Sequence, residues 1–216
     1  KNLFDYIVIG NFRKLFVIRY SSPSLIKAPI NFSYSKGAKA KYEDNIAAIK
    51  VLQTVERERR AATTQEQEVL ARYSGWGGIS DAFDESRDNW HREYVELKAL
   101  LSQSEYKAAR ASTRTAFYTD PYIINSIYEG LERFGFKDGY ILDPAMGTGN
   151  FFGNMPREMA DNSRLFGVEL DSLTSRIAKL LYPAAKIQNK GFEYTKFGNG
   201  EFDVVVGNVP FGDFKP

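Results

Sequence analysis

Cysteine is absent from this chain and histidine occurs once, as His91. Without a thiol there is no disulfide framework, no thiolate metal site and no thiolate nucleophile. A single imidazole cannot assemble a metal cluster, so metal catalysis through soft ligands is excluded and no residue is read as a metal ligand. His91 follows Trp90 at the start of a helical pattern and is read as an exposed helix residue without chemistry. Charge of one sign is equally scarce, since 29 Lys and Arg against 27 Asp and Glu leave a formal net charge of +2. Composition alone therefore does not argue for nucleic-acid binding. Long apolar runs are missing too: the stretch Leu3 to Ile9 is short, and Arg13, Lys14 and Arg19 interrupt the residues after it. It is neither a membrane span nor a secretory signal, and a soluble, cytoplasmic protein is the expectation.

The apolar content is ordinary, 43% of 216 residues. That is enough for one domain with a sizeable core, or for a small helical domain beside part of a larger one. Residues 1–50 carry nine Lys or Arg against three Asp or Glu. This leading arm reads either as a phosphate-touching segment or as a solvated face.

The patterning divides the chain into three regions. Residues 1–34, rich in Phe, Tyr, Ile and Val and broken by Pro23 and Pro29, suit one or two strands and a loop. Residues 35–115 read as a mainly helical N-terminal region. Ile46, Ile49, Leu52 and Val55 share a helix side, the run Thr63 to Gln67 holds a capping-box start, and Trp90, Tyr94, Leu97 and Leu101 recur at helical spacing. Ser102 with Glu105 opens a further helix. Between these lies the glycine-rich turn Tyr73-Ser-Gly-Trp-Gly-Gly78, either a helix cap around a buried anchor or a lid over a ligand.

From residue 116 to 216 helix and strand alternate. Asp120 caps a helix with Pro121 at its first position, and Ile123, Ile124, Ile127, Leu131 and Phe134 are its expected buried stripe. Strands are expected at Tyr140–Leu142, at Leu165–Val168, weakly near Ile187 and strongly at Phe202–Val206. A helix is expected near 150–160 and another after Asp171. That order implies an α/β fold with a parallel, doubly wound sheet.

The turn Asp143-Pro-Ala-Met-Gly-Thr-Gly-Asn-Phe151 falls where the first of these strands passes into its helix, the crevice where such sheets bind ligands. Gly147 and Gly149 permit close backbone approach. Glu169 ends the next strand, where an acid can accept hydrogen bonds from both ribose hydroxyls. Together they indicate a nucleoside-type cofactor. The remaining signal is Asn208-Val-Pro-Phe211, directly after the fourth strand.

The Asp143 turn followed 65 residues later by this Asn-x-Pro-Phe resembles motifs I and IV of amino-methyltransferases. Ala116-Phe-Tyr-Thr119 with Pro121 resembles motif X of N6-adenine DNA methyltransferases whose cofactor half comes first. More narrowly, Gly37-Ala-Lys-Ala-Lys-Tyr42, the Tyr73–Gly78 turn, Asp81-Ala-Phe-Asp-Glu85 and Gly149-Asn-Phe-Phe-Gly153 resemble the methylase region of large methylase–helicase proteins of bacterial mobile elements and phages. The resemblance covers roughly residues 36–213. It implies a truncated Rossmann-like S-adenosylmethionine methyltransferase sheet after the helical region, and it brings Gly75, Trp76 and Gly77 into consideration for the cofactor site.

The resemblance further implies S-adenosyl-L-methionine as cofactor, held by Phe117, Tyr118 and Thr119, by Asp143, Pro144, Ala145, Gly147, Thr148, Gly149, Asn150 and Phe151, and by Glu169 and Leu170. Where many relatives carry an Asp for the adenine amino group this chain offers Glu193, while Phe192 is the alternative, packing on the adenine ring. Asn208 and the Val209 carbonyl would accept hydrogen bonds from the target amine, Pro210 would shape the turn, and Phe211 would stack on the base. Motif IV usually has proline where Val209 stands.

The implied reaction is methyl transfer to the exocyclic N6 of adenine in DNA, with the base flipped from a duplex. Methylation of protein glutamine or RNA, and a non-catalytic DNA-gripping module of a larger helicase, stay open as alternatives; a dinucleotide oxidoreductase is the weakest reading. Implied partners are DNA and the C-terminal target-recognition and helicase regions of the same parent chain. Val204, Val205 and Val206 are apolar on both faces, which suits an interior strand. The chain is accordingly expected to be incomplete, to bind cofactor weakly and not to methylate DNA unaided.

Overall fold

The computed structural model describes residues 37–114 and 118–209, with two short strands, β1 (Ile9–Asn11) and β2 (Lys14–Phe16), before them. The two strands pair antiparallel, in line with the strand content expected of residues 1–34.

The helical region opens with α1 (Ala38–Glu58), whose apolar residues Ile46, Ile49, Leu52 and Val55 are all buried. Next comes α2 (Thr64–Leu70). Thr63 accepts from the Glu66 amide while the Glu66 side chain accepts from the Thr63 amide, so two otherwise unpaired helix-end donors are satisfied. The same device, built from Ser102 and Glu105, starts α4 (Gln103–Ser112) behind α3 (His91–Leu100). His91 is exposed, as read from its position. These helices bury an aromatic cluster in which Trp76 meets Tyr42, Tyr73 and Phe83, its ring edge-on to the last two.

Asp120 caps α5 (Pro121–Arg133), accepting from the Tyr122 amide. The buried stripe is Ile124, Ile127, Tyr128 and Leu131. Phe134, expected in it, is 68% exposed because it sits at the helix end, in non-helical backbone before Gly135. After β3 (Tyr140–Asp143) the single helix expected near 150–160 is two, α6 (Asn150–Gly153) and α7 (Arg157–Asn162). Pro156 separates them, since it has no N–H to continue α6 and suits the start of the next. The rest is β4 (Arg164–Glu169), α8 (Ser172–Leu181) capped by Asp171, β5 (Lys186–Asn189) and β6 (Val204–Val205).

The four later strands form one parallel sheet in the order β5-β4-β3-β6. The ladder of β6 extends past its two central residues, with the Asp203 amide on the Tyr140 carbonyl and the Val206 amide on the Leu142 carbonyl. Ile141, Val204 and Val206 face a core shared with α5, α6, α7 and α8. Leu142, Phe166 and Val168 face the other way, against Phe202 and Phe197. The second helical layer of a doubly wound sheet is not among the described residues; aromatic side chains cover that face instead. On the sheet side α8 buries Ala178, and its Leu173, Ile177 and Leu181 belong to the helical region's core. One helix thus joins the two. Arg176 on α8 reinforces the join, donating from Nε to Glu56 at 2.7 Å and from Nη1 to Glu105 at 2.6 Å.

Candidate cofactor and substrate site

Strand order reverses at β3: the chain moves outward through β4 and β5, then returns to pair β6 on β3's other side. Ligands of open α/β sheets bind outside the carboxyl ends of the strands at such a point. The ends here are Asp143 and Pro144 after β3, Glu169 and Leu170 after β4, the Gly191 turn after β5, and Gly207 to Val209 after β6.

Asp143 is buried, its Oδ1 accepting from the Ala145 amide at 3.1 Å, and its Oδ2 has no hydrogen-bond partner. Burial pushes its carboxyl up to about 8, with the nearby Glu169 charge adding to the rise. Thr148, also buried, has an unpartnered hydroxyl. Unsatisfied polar atoms at this depth are unusual, and in a crevice they fit a ligand that supplies donors.

Gly147 and Gly149 both have left-handed backbone, φ 56° and 91°, which glycine adopts without strain. Both are also closely covered. A Cβ on Gly147 would stand 3.0 Å from the Tyr118 ring, and one on Gly149 would run into the Tyr182 ring. Tyr118, from the segment preceding α5, therefore lies over the Asp143–Phe151 turn. Tyr182 donates its hydroxyl to the Gly149 carbonyl at 2.8 Å. Asn150 and Phe151 are buried, and the Phe151 carbonyl accepts from the Tyr128 hydroxyl.

Glu169 is half-buried at the crevice. Its Oε2 accepts from the Gly147 amide at 2.9 Å and its Oε1 from the Asp171 amide at 2.7 Å. Each oxygen keeps a lone pair for a further donor such as a ribose hydroxyl. Burial above all, and then the Asp171 charge, raise this carboxyl to about 7 against the opposing effect of the backbone donors. Asn189 steadies the neighbouring backbone by donating to the Glu169 and Leu170 carbonyls at 2.9 and 3.0 Å.

Large apolar side chains stand open along the same edge: Leu170 at 74%, Phe192 at 47% and Val209 at 37% exposure. Exposed apolar surface beside a polar crevice fits the flat face of a base or nucleoside. Glu193 folds its carboxylate back over Gly191, where a Cβ would meet it at 2.5 Å. Asn208 is half-buried next to Val209. Gly207, just before it, packs on the Asp143 carboxylate and the Pro144 ring, so the Asn208 loop and the Asp143 turn are side by side. Thr119 leads from Tyr118 into the α5 cap. Phe117, Pro210 and Phe211 lie outside the described residues.

The glycine-rich turn is resolved in favour of the anchor. Trp76 is buried in the helical core, and Asn45 on α1 clamps the turn, accepting from the Ser74 amide at 2.9 Å and donating to the Gly75 carbonyl at 2.6 Å. Gly75, Trp76 and Gly77 face this core because the indole finds its apolar and aromatic neighbours there. Tyr73 is buried in the same core, and burial pushes its hydroxyl well up, with the charges of Asp171 and Glu169 adding to the effect.

Sequence reasoning missed Asn45, Tyr128, Tyr182 and Asn189. Only Asn189 carried a usable signal, a polar residue ending the strand beside Glu169.

A family model described as N-6 DNA Methylase matches residues 100–215. The chain is 29% identical over 193 residues to the Defense against restriction protein B of Escherichia phage P1, covering 86% of this chain and 7% of that protein. It is 31% identical over 118 residues to the Type II methyltransferase M.CvrRI of Paramecium bursaria Chlorella virus XZ-6E, covering 54% of this chain and 28% of that one. The chain thus spans less than a third of the length of either relative. A solved structure from Listeria monocytogenes, described as a class I S-adenosylmethionine-dependent methyltransferase, aligns with 72% of this chain and 56% of its own at 14% identity and a TM-score of 0.34. Among the described residues no helix is long and apolar enough to cross a membrane.

Proposed function

This chain belongs to the N-6 DNA methylase family, and from that premise we propose that it binds S-adenosylmethionine at the strand tips and directs methyl transfer to the N6 amine of adenine in DNA. The observation that supports this reading is the contact of Gly207 with Asp143 and Pro144, which brings the Asn208 loop beside the Asp143 turn.

The side chains at the crevice fit that cofactor. The unpartnered Asp143 Oδ2 and Thr148 hydroxyl are buried where its polar groups would need partners, and the glycines at 147 and 149 leave backbone open to approach. Glu169 would take the ribose hydroxyls and Leu170 would lie against the adenine ring, with Phe192 a second apolar face. Tyr118 would close the turn from above. When bound, S-adenosylmethionine supplies an electrophilic methyl group on a sulfonium, so the protein's task is mainly to orient a weak nucleophile.

Asn208 and Val209 do that orienting. An exocyclic amine donates its lone pair into the base ring and is a poor nucleophile. Two acceptors on its N–H bonds, the Asn208 side-chain oxygen and the Val209 carbonyl, favour the form whose lone pair is free and stabilise positive charge developing on nitrogen. The proton displaced as nitrogen gains its new carbon leaves to solvent. Phe211 would stack on the flipped base, worth about 1–3 kcal/mol.

The test is tritium transfer from labelled cofactor in the intact protein, offered duplex DNA, RNA and protein side by side. Label is expected in adenine of DNA, and Asn208→Ala is expected to lower kcat by about 100-fold to 1,000-fold, on the scale of losing one preorganised hydrogen bond, with S-adenosylhomocysteine affinity unchanged. Label in RNA or protein but not DNA, or an unaltered kcat, would overturn the reading.

A further inference from the structure

We propose that the open cleft between the end of α4 and the Ser80–Asp84 turn grips the phosphate backbone of duplex DNA beside the target base, an inference that rests on DNA being the substrate. The cleft, about 780 Å³, is lined by Lys107, Arg110 and Arg114 together with Ser80 and Thr113. Lys107 and Arg110 lie about 60° apart around α4, and Arg114 follows the end of that helix by two residues, so all three line the same cleft. All three are exposed, and none makes an ion pair or side-chain hydrogen bond among the described residues. Arg60, Arg87 and Arg176, by contrast, are engaged by carboxylates.

The one acid in the cleft is Asp84. Its Oδ1 is taken by the Ser86 amide and hydroxyl, and Arg87 lies 3.6 Å from its Oδ2. Those bonds and Arg87 hold its carboxyl below the usual range, with Arg110 contributing at longer distance. With Asp84 so engaged, none of the three cations has a carboxylate partner within ion-pair distance among the described residues. Lys107 to Arg110 advances by about 4.5 Å along the helix, and Arg114 follows four residues later, so the row can meet successive phosphates spaced at roughly 3.4 Å along one DNA strand. A small anion would need only one of these cations; a polyanionic strand uses the row.

Position links the row to the crevice. The Thr113 carbonyl accepts from the Gly78 amide at 3.2 Å, which ties the end of α4 to the core of the helical region. Arg114 precedes Tyr118 by four residues, so their backbones are at most about 14 Å apart. Tyr118 covers Gly147. A duplex whose flipped adenine reached Asn208 would bring flanking phosphates within reach of the row. Arg110, in the last turn of α4, also suits the helix dipole, which alone would give no DNA affinity, and the experiment separates the two roles.

The variant is Lys107→Gln/Arg110→Gln/Arg114→Gln in the intact protein, compared with a distant double variant, Arg133→Gln/Lys137→Gln. Duplex affinity is measured as a function of salt, with S-adenosylhomocysteine affinity as the check on folding. Each phosphate contact contributes roughly 0.9 to the slope of log affinity against log salt, so the triple variant is expected to lose about 2.7 of slope and about a hundredfold in affinity near 0.15 M salt. The loss should be the same for any DNA sequence, since phosphates carry none, and the distant variant should match the wild type. An unchanged slope in a protein that still methylates DNA would overturn the cleft alone. A wild type that labels RNA or protein in place of DNA would overturn the functional reading first.

Discussion

Gly207 has no room for a side chain because Asp143 occupies it: a Cβ there would come within 2.5 Å of Asp143 Oδ1 and 3.2 Å of its Cγ. Asp143 ends β3 and Gly207 lies two residues past β6, the strand beside it in the sheet, although 64 residues separate them in the chain. Gly207→Ala should therefore displace either the Asp143 carboxyl or the Asn208 loop, at a cost of about 1–3 kcal/mol for overpacking. The expected result is a folded protein with weakened S-adenosylhomocysteine binding and strongly reduced methyl transfer, read by calorimetry and the tritium assay. Wild-type values for both would show that the contact is not needed.

Stability should depend on pH in an unusual direction. Asp143 at about 8 and Glu169 at about 7 are raised above ordinary carboxylates by burial. Below about pH 4 folded and unfolded chains are both protonated at these groups, so neither contributes a difference. Between about pH 4 and 8 the native state keeps protons that the unfolded chain has released, so stability falls as pH rises through that window. The melting temperature of ligand-free protein is expected to drop from pH 5 to pH 8, and Asp143→Asn should flatten the curve. A rising curve for the wild type would contradict the burial of these charges.

Cofactor affinity should move the other way. A carboxylate accepts both ribose hydroxyls, whereas a protonated Glu169 has to give up its proton first. S-adenosylhomocysteine binding is expected to weaken by up to about tenfold per pH unit below 7, and Glu169→Gln should bind more weakly and lose that dependence. If the variant kept the wild-type pH profile, another group would be responsible.

The junction between helical region and sheet turns on Arg176, which reaches Glu56 on α1 and Glu105 on α4 at once. The site is partly exposed, so solvent weakens the attraction, and Arg176→Met is expected to cost about 1–2 kcal/mol in denaturant titration. Arg176→Lys should not restore it, because an ammonium lacks the planar fork that spans two carboxylates. Full rescue by lysine would mean that net charge alone matters.

Asn45 is the corresponding device inside the helical core. Asn45→Ala leaves the buried Ser74 amide and Gly75 carbonyl without partners, and a loss of about 1–3 kcal/mol is expected. Hydrogen exchange should increase first around residues 73–78. Unchanged protection there would assign the turn's rigidity to Trp76 alone.

Much of this protein is determined within a few residues along the chain. Thr63 with Glu66, Ser102 with Glu105, and Asp120 before Pro121 set three helix starts, because a cap and its partners lie within one turn. The sequence likewise determined that Asp143, Gly147, Gly149 and Glu169 end up together, since adjacent parallel strands joined by a helix leave little freedom for their tips. Tertiary structure decided the contacts whose partners are far apart. Asn45 with Gly75, Arg176 with Glu56, and Gly207 against Asp143 leave no local trace, because each exists only once α1 meets the Tyr73–Gly78 turn or α8, or β6 returns beside β3. The glycine-rich turn shows the limit most directly: its residues permit a lid or an anchor, and burial of the Trp76 indole among Tyr42, Tyr73 and Phe83 selects the anchor. Local hydrogen bonds are encoded by spacing, whereas apolar burial is non-directional and is settled only by which surfaces the folded chain brings into contact.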